Sequence, residues 1–275
     1  VEARVRKVRG DRIVEETDTL ASEEPMEIRL VPEAGTAQGL AVTMRTPGND
    51  FELAAGFLFT EGVIRGREDI ERMVYCTDPG KVQEYNIVSV HLRPGLDFRP
   101  ELVQRHFYTT SSCGVCGKTS IEAIKVRGHI TIPKDRPLVT PAVLRRLPDG
   151  LRKGQRIFSR TGGLHAAGLF DAKGQLQALK EDVGRHNGVD KLIGHQLLAD
   201  RLPLHDFILM VSGRASFEIL QKAAVAGIPF VVAVGAPSSL AVDLAKEFGL
   251  TLIGFAHGEG YNVYAGHHRI LDLQT

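Results

Sequence analysis

The sequence has little cysteine, no excess of either charge and no long apolar run. Its 275 residues include 3 cysteines, Cys76, Cys113 and Cys116, an odd and low number that argues against a disulfide framework. Lysine and arginine number 34 against 33 for aspartate and glutamate. The overall charge therefore gives no ground for nucleic-acid or membrane binding, and any anion site has to be local. The densest apolar patch, around IPFVVAVGAP, is far too short to span a bilayer. The opening VEARVRKVRGDRIVEE lacks the apolar stretch of a secretory signal, so a cytoplasmic location is expected. There is no internal repeat and no low-complexity tract. What is present is ordinary globular usage, 43% hydrophobic and 24% charged, in a length that suits two modest domains or one large one.

The first third reads as mixed α and β. EIRLV, LAVTMRT and YNIVSVHL have the composition of strands, and TPGND that of a turn. DFELAAGFLFTEGVI has helical spacing, with Ala54, Phe57 and Leu58 on one face and Gly62 as its stop. Phe51, Phe57 and Phe59 are expected to serve the core. Short helices are expected over RPELVQRHF and KTSIEAIKV, on either side of the segment that holds Cys113 and Cys116. The proline-punctuated GHITIPKDRPLVTPAVLRRLPDG opens like a linker. A boundary near residue 135 divides the chain into a smaller mixed α/β domain, 1–135, ending with the Cys-x-x-Cys loop, and a second α/β domain, 136–275. From GLHAAGLFD onward the order is β-β-α-β-α-β-α-β, with Gly227 and Gly249 as helix stops and Ser238 as a helix start. After the opening hairpin, with AKG as its turn, the alternation of strand and helix predicts a mostly parallel sheet covered by helices.

In such sheets ligands bind beyond the carboxyl ends of the strands. Three polar motifs fall there: EDVGRHN with Arg185, His186 and Asn187, SGRAS with Ser212, Gly213 and Arg214, and GAPSS. Each carries glycine and opens a helix, whose free N–H groups and positive dipole end suit phosphate. Arg185 and Arg214 add bidentate donors. Each motif alone reads equally as a βα turn using Gly and Ser as caps; the three together favour an anion or nucleotide site. Sheets of this order also serve zinc deaminases, which carry His-x-Glu at one helix start and Pro-Cys-x-x-Cys at the next. Here His186 is followed two residues on by Gly188, and SGRAS holds no cysteine, so that chemistry is missing. His165, in GGLHAAG, reads as a core or turn histidine.

The remaining motif is TSSCGVCGKTS. A structural zinc site needs four ligands. Cys113 and Cys116 supply two, and Cys76, His106 and His129 do not repeat a paired spacing. A thioredoxin-like switch would sit at a strand end in its own βαβ unit, which is not found here. Ser111, Ser112, Gly114, Gly117 and Lys118 read as an exposed loop. A following helix N-terminus and Lys118 would stabilise thiolate, so the spacing favours a reactive thiol without naming its electrophile.

SSCGVCG, TGGLHAAGLFD, EDVGRHNGVDKLIG, SGRASFEILQKAAVAGIP, VGAPSSLAVDLA and NVY, with RTPGNDFELAAGFLFTEG, together resemble the formate dehydrogenase accessory sulfurtransferase family (FdhD type) from about Arg45 to Tyr264. The resemblance implies a deaminase-like core domain and a homodimer. It implies a sulfur carrier that takes sulfane sulfur from a cysteine desulfurase as a persulfide. The carrier passes that sulfur to the bis-molybdopterin guanine dinucleotide cofactor of formate dehydrogenase. Guanine nucleotides such as GDP mimic the cofactor ends, and no zinc is expected. By the same resemblance Cys113 is the persulfide carrier, Cys116 its functional partner, and the loop Phe255, Ala256, His257, Gly258, Glu259, Gly260 a cofactor-binding stretch. Lys180 and Gly188 stand where arginine and alanine are the more usual residues. The competing expectation is a non-catalytic cofactor-binding chaperone whose Cys-x-x-Cys loop is structural.

Overall fold

The structure, a computed structural model, describes residues 1–33, 36–76, 83–96 and 131–271. The segment carrying Cys113 and Cys116, and the helices expected on either side of it, lie outside the described residues. The architecture is two-domain α/β with mixed sheets.

A hairpin of β1 (Glu2–Arg9) and β2 (Arg12–Thr19) comes first and joins neither larger sheet. It is held across the pair by Arg6–Glu15 at 2.9 Å and by Lys7–Glu16, exposed ion pairs of small individual worth. Then follow β3 (Glu24–Val31), β4 (Gln38–Arg45), α1 (Asp50–Thr60), β5 (Ile70–Tyr75) and β6 (Ile87–Leu92). Their strands form a sheet in the order β4-β3-β6-β5. The period-two pattern of EPMEIRLV buries Met26, Ile28 and Leu30 in one core with Leu53, Ala54 and Leu58 of α1. The turn before α1 uses Gly48 at φ 99° and Asn49 at φ 58°, conformations that glycine and asparagine tolerate best. Phe51, Phe57 and Phe59 pack against this core, and Phe59 also reaches the core of the second domain.

The second domain contains α2 (Pro141–Gly154), α3 (Phe158–Thr161), β7 (His165–Phe170), β8 (Leu176–Asp182), α4 (Arg185–Leu198), β9 (Ile208–Val211), α5 (Phe217–Val225), β10 (Phe230–Ala233), α6 (Ser239–Phe248), β11 (Thr251–His257) and β12 (Gly260–Ala265). Its six-stranded sheet runs β12-β11-β10-β9-β7-β8. The expected strand and helix order is present, with α2 and α3 before it and β12 after. The mostly parallel sheet is corrected to a mixed one: only β9–β10 and β10–β11 pair in parallel, β7 runs against both its neighbours β8 and β9, and the short turn after β11 makes β12 antiparallel. Strand residues alternate between two cores. Leu209, Val211, Val231 and Leu252 meet α4, α5 and α6, whereas Ile208, Met210, Phe230 and Val232 meet α2. Burial on both faces explains why these strands read as unbroken apolar runs.

Helix α2 replaces much of the expected linker. Thr140 caps it by accepting from the Val143 N–H at 3.4 Å, and Pro141 occupies its first turn. Val143, Leu144, Leu147 and Leu151 make its buried stripe. Pro148 lies inside the helix and reads as a breaker in the sequence, but the buried leucines on either side of it hold the helix together.

The domains meet along α1 and α4 at two glycines. A methyl group on Gly56 would stand 1.9 Å from the Asp190 carbonyl oxygen, and one on Gly194 would stand 1.8 Å from that of Glu52. Only glycine permits this crossing. Charged groups flank it. Lys191 Nζ reaches Asp182 Oδ2 at 2.7 Å and donates to the Thr46 carbonyl at 2.7 Å. Lys222 Nζ reaches Asp190 Oδ2 at 3.0 Å and donates to Thr60 Oγ1 at 3.0 Å. Glu52 accepts from Lys180 at 2.6 Å and lies 2.9 Å from His195 Nδ1.

Candidate functional site

A cleft of about 590 Å³ opens at one edge of the six-stranded sheet. Val183, Ser212, Val234 and Ala256 stand just beyond or at the carboxyl ends of β8, β9, β10 and β11, and all line it. His165 joins them because β7 runs the opposite way and starts at this edge. The far wall is α2 from Pro148 to Arg152, then Gln155, Phe158 and the turn Gly162–Gly163. The Arg152 guanidinium carbon lies 4.0 Å from the centre of the Phe158 ring, a cation–π contact at this wall. Glu181 fixes α3 by accepting from the Ile157 and Phe158 N–H groups at 2.9 and 2.8 Å. A volume of this size suits a small-molecule or cofactor site.

The residues singled out in the sequence divide into three groups. Ser212, Ala256, His257 and Gly258 line the cleft. The Ser212 hydroxyl accepts from the Ala166 N–H at 2.9 Å, which fixes the mouth of β9 against β7. Phe255 and Gly213 are chain neighbours of lining residues, while Arg185, His186 and Arg214 are not among the lining. Phe255 sits at φ 53° within a bulge of β11 and is 45% exposed. This strained backbone, held by the Phe255 N–H donating to the Gly235 carbonyl at 3.1 Å, is of the kind that clusters at ligand sites. A methyl on Gly213 would lie 3.4 Å from His165 Nδ1 and 3.7 Å from Arg185 Cδ, so Arg185 stands behind His165 across that glycine. The Arg185 Nε is buried and meets no hydrogen-bond partner among the described residues. Glu259 and Gly260 lie in the β11–β12 turn, beyond the lining of the cleft.

Asn187 forms the third group. Its amide donates to the Met44 carbonyl at 2.8 Å and to Asp182 Oδ1 at 3.1 Å, and its Oδ1 accepts from Thr43 at 3.2 Å. It serves the domain junction. The helix-terminus reading divides in the same way. Ser238 caps α6 by accepting from the Ala241 N–H at 3.3 Å, so GAPSS is an ordinary capped turn, while α4 and α5 begin without a side-chain cap.

His165 and His186 are held toward the neutral form. Burial first, then the Arg185 charge, hold His165 below its ordinary value. The same causes in the same order lower His186 from 6.5 to about 4. His186 Nε2 lies 3.2 Å from Ser216 Oγ, where the neutral ring pairs with the hydroxyl. The unfolded chain takes up this proton near pH 6.5 and the folded chain only near pH 4, so the stability that His186 contributes is full above 6.5 and is lost as pH falls through about 4. The melting temperature of wild type minus that of His186→Gln should therefore be constant above pH 6.5 and shrink between 6.5 and 4. A constant difference down to pH 4 would show that His186 is not held neutral.

Sequence reasoning missed the wall formed by Arg152, Gln155 and Phe158. The stretch LRKGQRIFSRTGG carries them, and its signal was a glutamine and an aromatic set between a helix end and a Gly-Gly turn. His165 was assigned to core or turn and instead lines the cleft. Among the described residues no group of three His, Cys, Asp or Glu could hold a metal ion, and no helix is long and apolar enough to cross a membrane.

Residues 21–271 match the model of the FdhD/NarQ family. A sulfur carrier protein FdhD of Streptomyces avermitilis is 52% identical over 271 residues, 97% of this chain and 94% of that protein. Another sulfur carrier protein FdhD, from Mycobacterium tuberculosis, is 48% identical over 272 residues, 97% of either chain. A crystal structure from Desulfotalea psychrophila, described as a formate dehydrogenase accessory protein, superposes with a TM-score of 0.75 at 25% identity, covering 98% of this chain and 99% of that one.

Proposed function

The chain belongs to the FdhD/NarQ family, and on that premise we propose that it is a sulfur carrier, a sulfurtransferase serving formate dehydrogenase maturation. The observation that carries this reading is the family match over 21–271, which brackets the Cys-x-x-Cys motif. The sulfur donor is a cysteine desulfurase carrying a persulfide. The Cys113 thiolate attacks the outer sulfur, a new S–S bond forms, the donor's S–S bond breaks, and the donor cysteine leaves as thiolate. The transferred sulfur stays zero-valent, so this step needs no outside electrons. Delivery as sulfide needs two electrons. The Cys116 thiolate supplies them by attacking Cys113 Sγ, which forms a Cys113–Cys116 disulfide and expels hydrosulfide toward the recipient. A thiol reductant then reopens the pair for the next cycle.

The recipient is the bis-molybdopterin guanine dinucleotide cofactor, which the protein holds as cargo before formate dehydrogenase accepts it. Ser212, Ala256, His257 and Gly258 border the bound cargo, and Arg185 and Arg214 meet its phosphates. The mixed sheet supports a cytidine-deaminase-like reading of the second domain: the run β8-β7-β9-β10-β11 opens with an antiparallel hairpin and continues through parallel crossovers. At the two helix starts where a deaminase carries zinc ligands and its acid–base glutamate, this chain has Arg185–Gly188 and Ser212–Ser216. A domain division near residue 135, a homodimer and a cytoplasmic site of action complete the proposal.

The test is intact-protein mass spectrometry after mixing with a cysteine desulfurase and cysteine, followed by peptide mapping. One added sulfur on the Thr110–Ser120 peptide, lost on reduction, is the expected result. Protein that takes up no sulfur would overturn the carrier reading in favour of a docking chaperone.

A further inference from the structure

We infer that Gln155 reads the ring edge of the bound cargo, donating its carboxamide N–H to the carbonyl of a 2-amino-4-oxo pyrimidine ring, the edge that guanine and pterin share. This deepens the cargo-binding part of the proposal above and rests on it. Gln155 follows α2 and is only 5% exposed, yet it lines the large cleft. Its Nε2 is buried and meets no hydrogen-bond partner among the described residues. A buried donor left unpaired is costly, and a fold keeps one only where something offsets it. The backbone of Gln155 is already engaged: its N–H donates to the Arg152 carbonyl at 3.2 Å and its carbonyl accepts from the Ser159 N–H at 3.2 Å, so the stem from which the side chain springs is fixed.

What is missing is an acceptor, reached from within the cleft. Leu151, Leu164 and Val234 give the lining apolar surface, against which a flat ring buries its faces, while the aromatic Phe158 and the exposed Asp149 stand on the same wall as Gln155. A lactam edge answers this set. Its carbonyl accepts from Nε2, its neighbouring ring N–H can donate to the amide oxygen, and its 2-amino group is a donor for a carboxylate such as Asp149. An adenine ring carries an amino group where guanine carries the carbonyl, which sets a donor against Nε2.

The experiment measures binding of GDP, of ADP and of 6-hydroxymethylpterin to wild type, Gln155→Leu and Gln155→Glu by calorimetry, with melting temperatures and sulfur loading of the same preparations. Wild type should prefer GDP to ADP. Gln155→Leu should weaken GDP, the pterin or both by about tenfold, the worth of one hydrogen bond. Gln155→Glu should weaken them further and narrow the preference over ADP, because a carboxylate repels the carbonyl and accepts from an amino group. Sensitivity confined to GDP assigns the guanine end to the cleft, and sensitivity confined to the pterin assigns the pterin end. Gln155→Leu should melt at or above the wild-type temperature, since an orphaned donor has been removed, whereas a structural glutamine would melt lower. GDP and pterin binding unchanged in both variants would overturn the inference. Sulfur loading that persists in those preparations would leave the carrier reading standing.

Discussion

Formate dehydrogenase matured with a Cys113→Ala protein should show activity at least about 100-fold below wild type, because the nucleophile proposed to receive the sulfur is gone and an alanine cannot form a persulfide. The melting temperature of the purified variant should match wild type, which separates a lost thiol from a lost fold. Cys116→Ala separates the two steps proposed above. It should accept one sulfur as well as wild type does and then retain it, because the thiol that supplies the electrons for release is missing. Activity measured in cells lacking the native protein, beside the mass of each purified variant, reads both. Full maturation by Cys113→Ala would move the persulfide elsewhere.

The largest loss of stability should come from Asp182→Ala, about 3–5 kcal/mol, the usual effect of stripping a buried charge of its partner. Asp182 is wholly buried and Lys191 nearly so. The carboxylate also accepts from the Thr46 N–H at 3.1 Å, the Gly184 N–H at 2.8 Å and the Asn187 amide, so three further donors lose their acceptor. Urea denaturation should show this loss, and the double variant Asp182→Ala, Lys191→Met should recover part of it by removing the stranded ammonium. A single variant as stable as wild type would mean that water enters and serves these groups.

The same pair shows what the sequence did and did not disclose. EDVGRHN was legible as a polar turn opening a helix at a strand end, and it is one. Its members work in different places. Glu181 fixes α3, Asp182 and Asn187 join the domains, Val183 lines the cleft, Arg185 approaches it across Gly213, and His186 pairs with Ser216. A linear motif does not say which side of a turn each side chain faces. The alternation of strands and helices after Gly163 was readable because apolar runs and glycine stops punctuate it. The opening β7–β8 hairpin was readable too; the antiparallel pairing of β7 with β9 was not, because it joins partners remote in sequence, and strand β12 was missed. Gln155 escaped notice because its significance lies in the lack of a partner, which only packing reveals.

The glycine crossing of α1 and α4 bears on how the proposed cargo could enter and leave. Two helices whose backbones touch at Gly56 and Gly194, with lysine–carboxylate pairs on their flanks, allow little sliding and less rotation. Hinge closure of the kind that clamps many ligands between rigid lobes would have to break those buried charges. The two domains therefore move as one body. Any opening and closing that the proposed cargo exchange requires would then fall to smaller parts, such as the glycine turns Gly162, Gly163 and Gly258 that line the cleft.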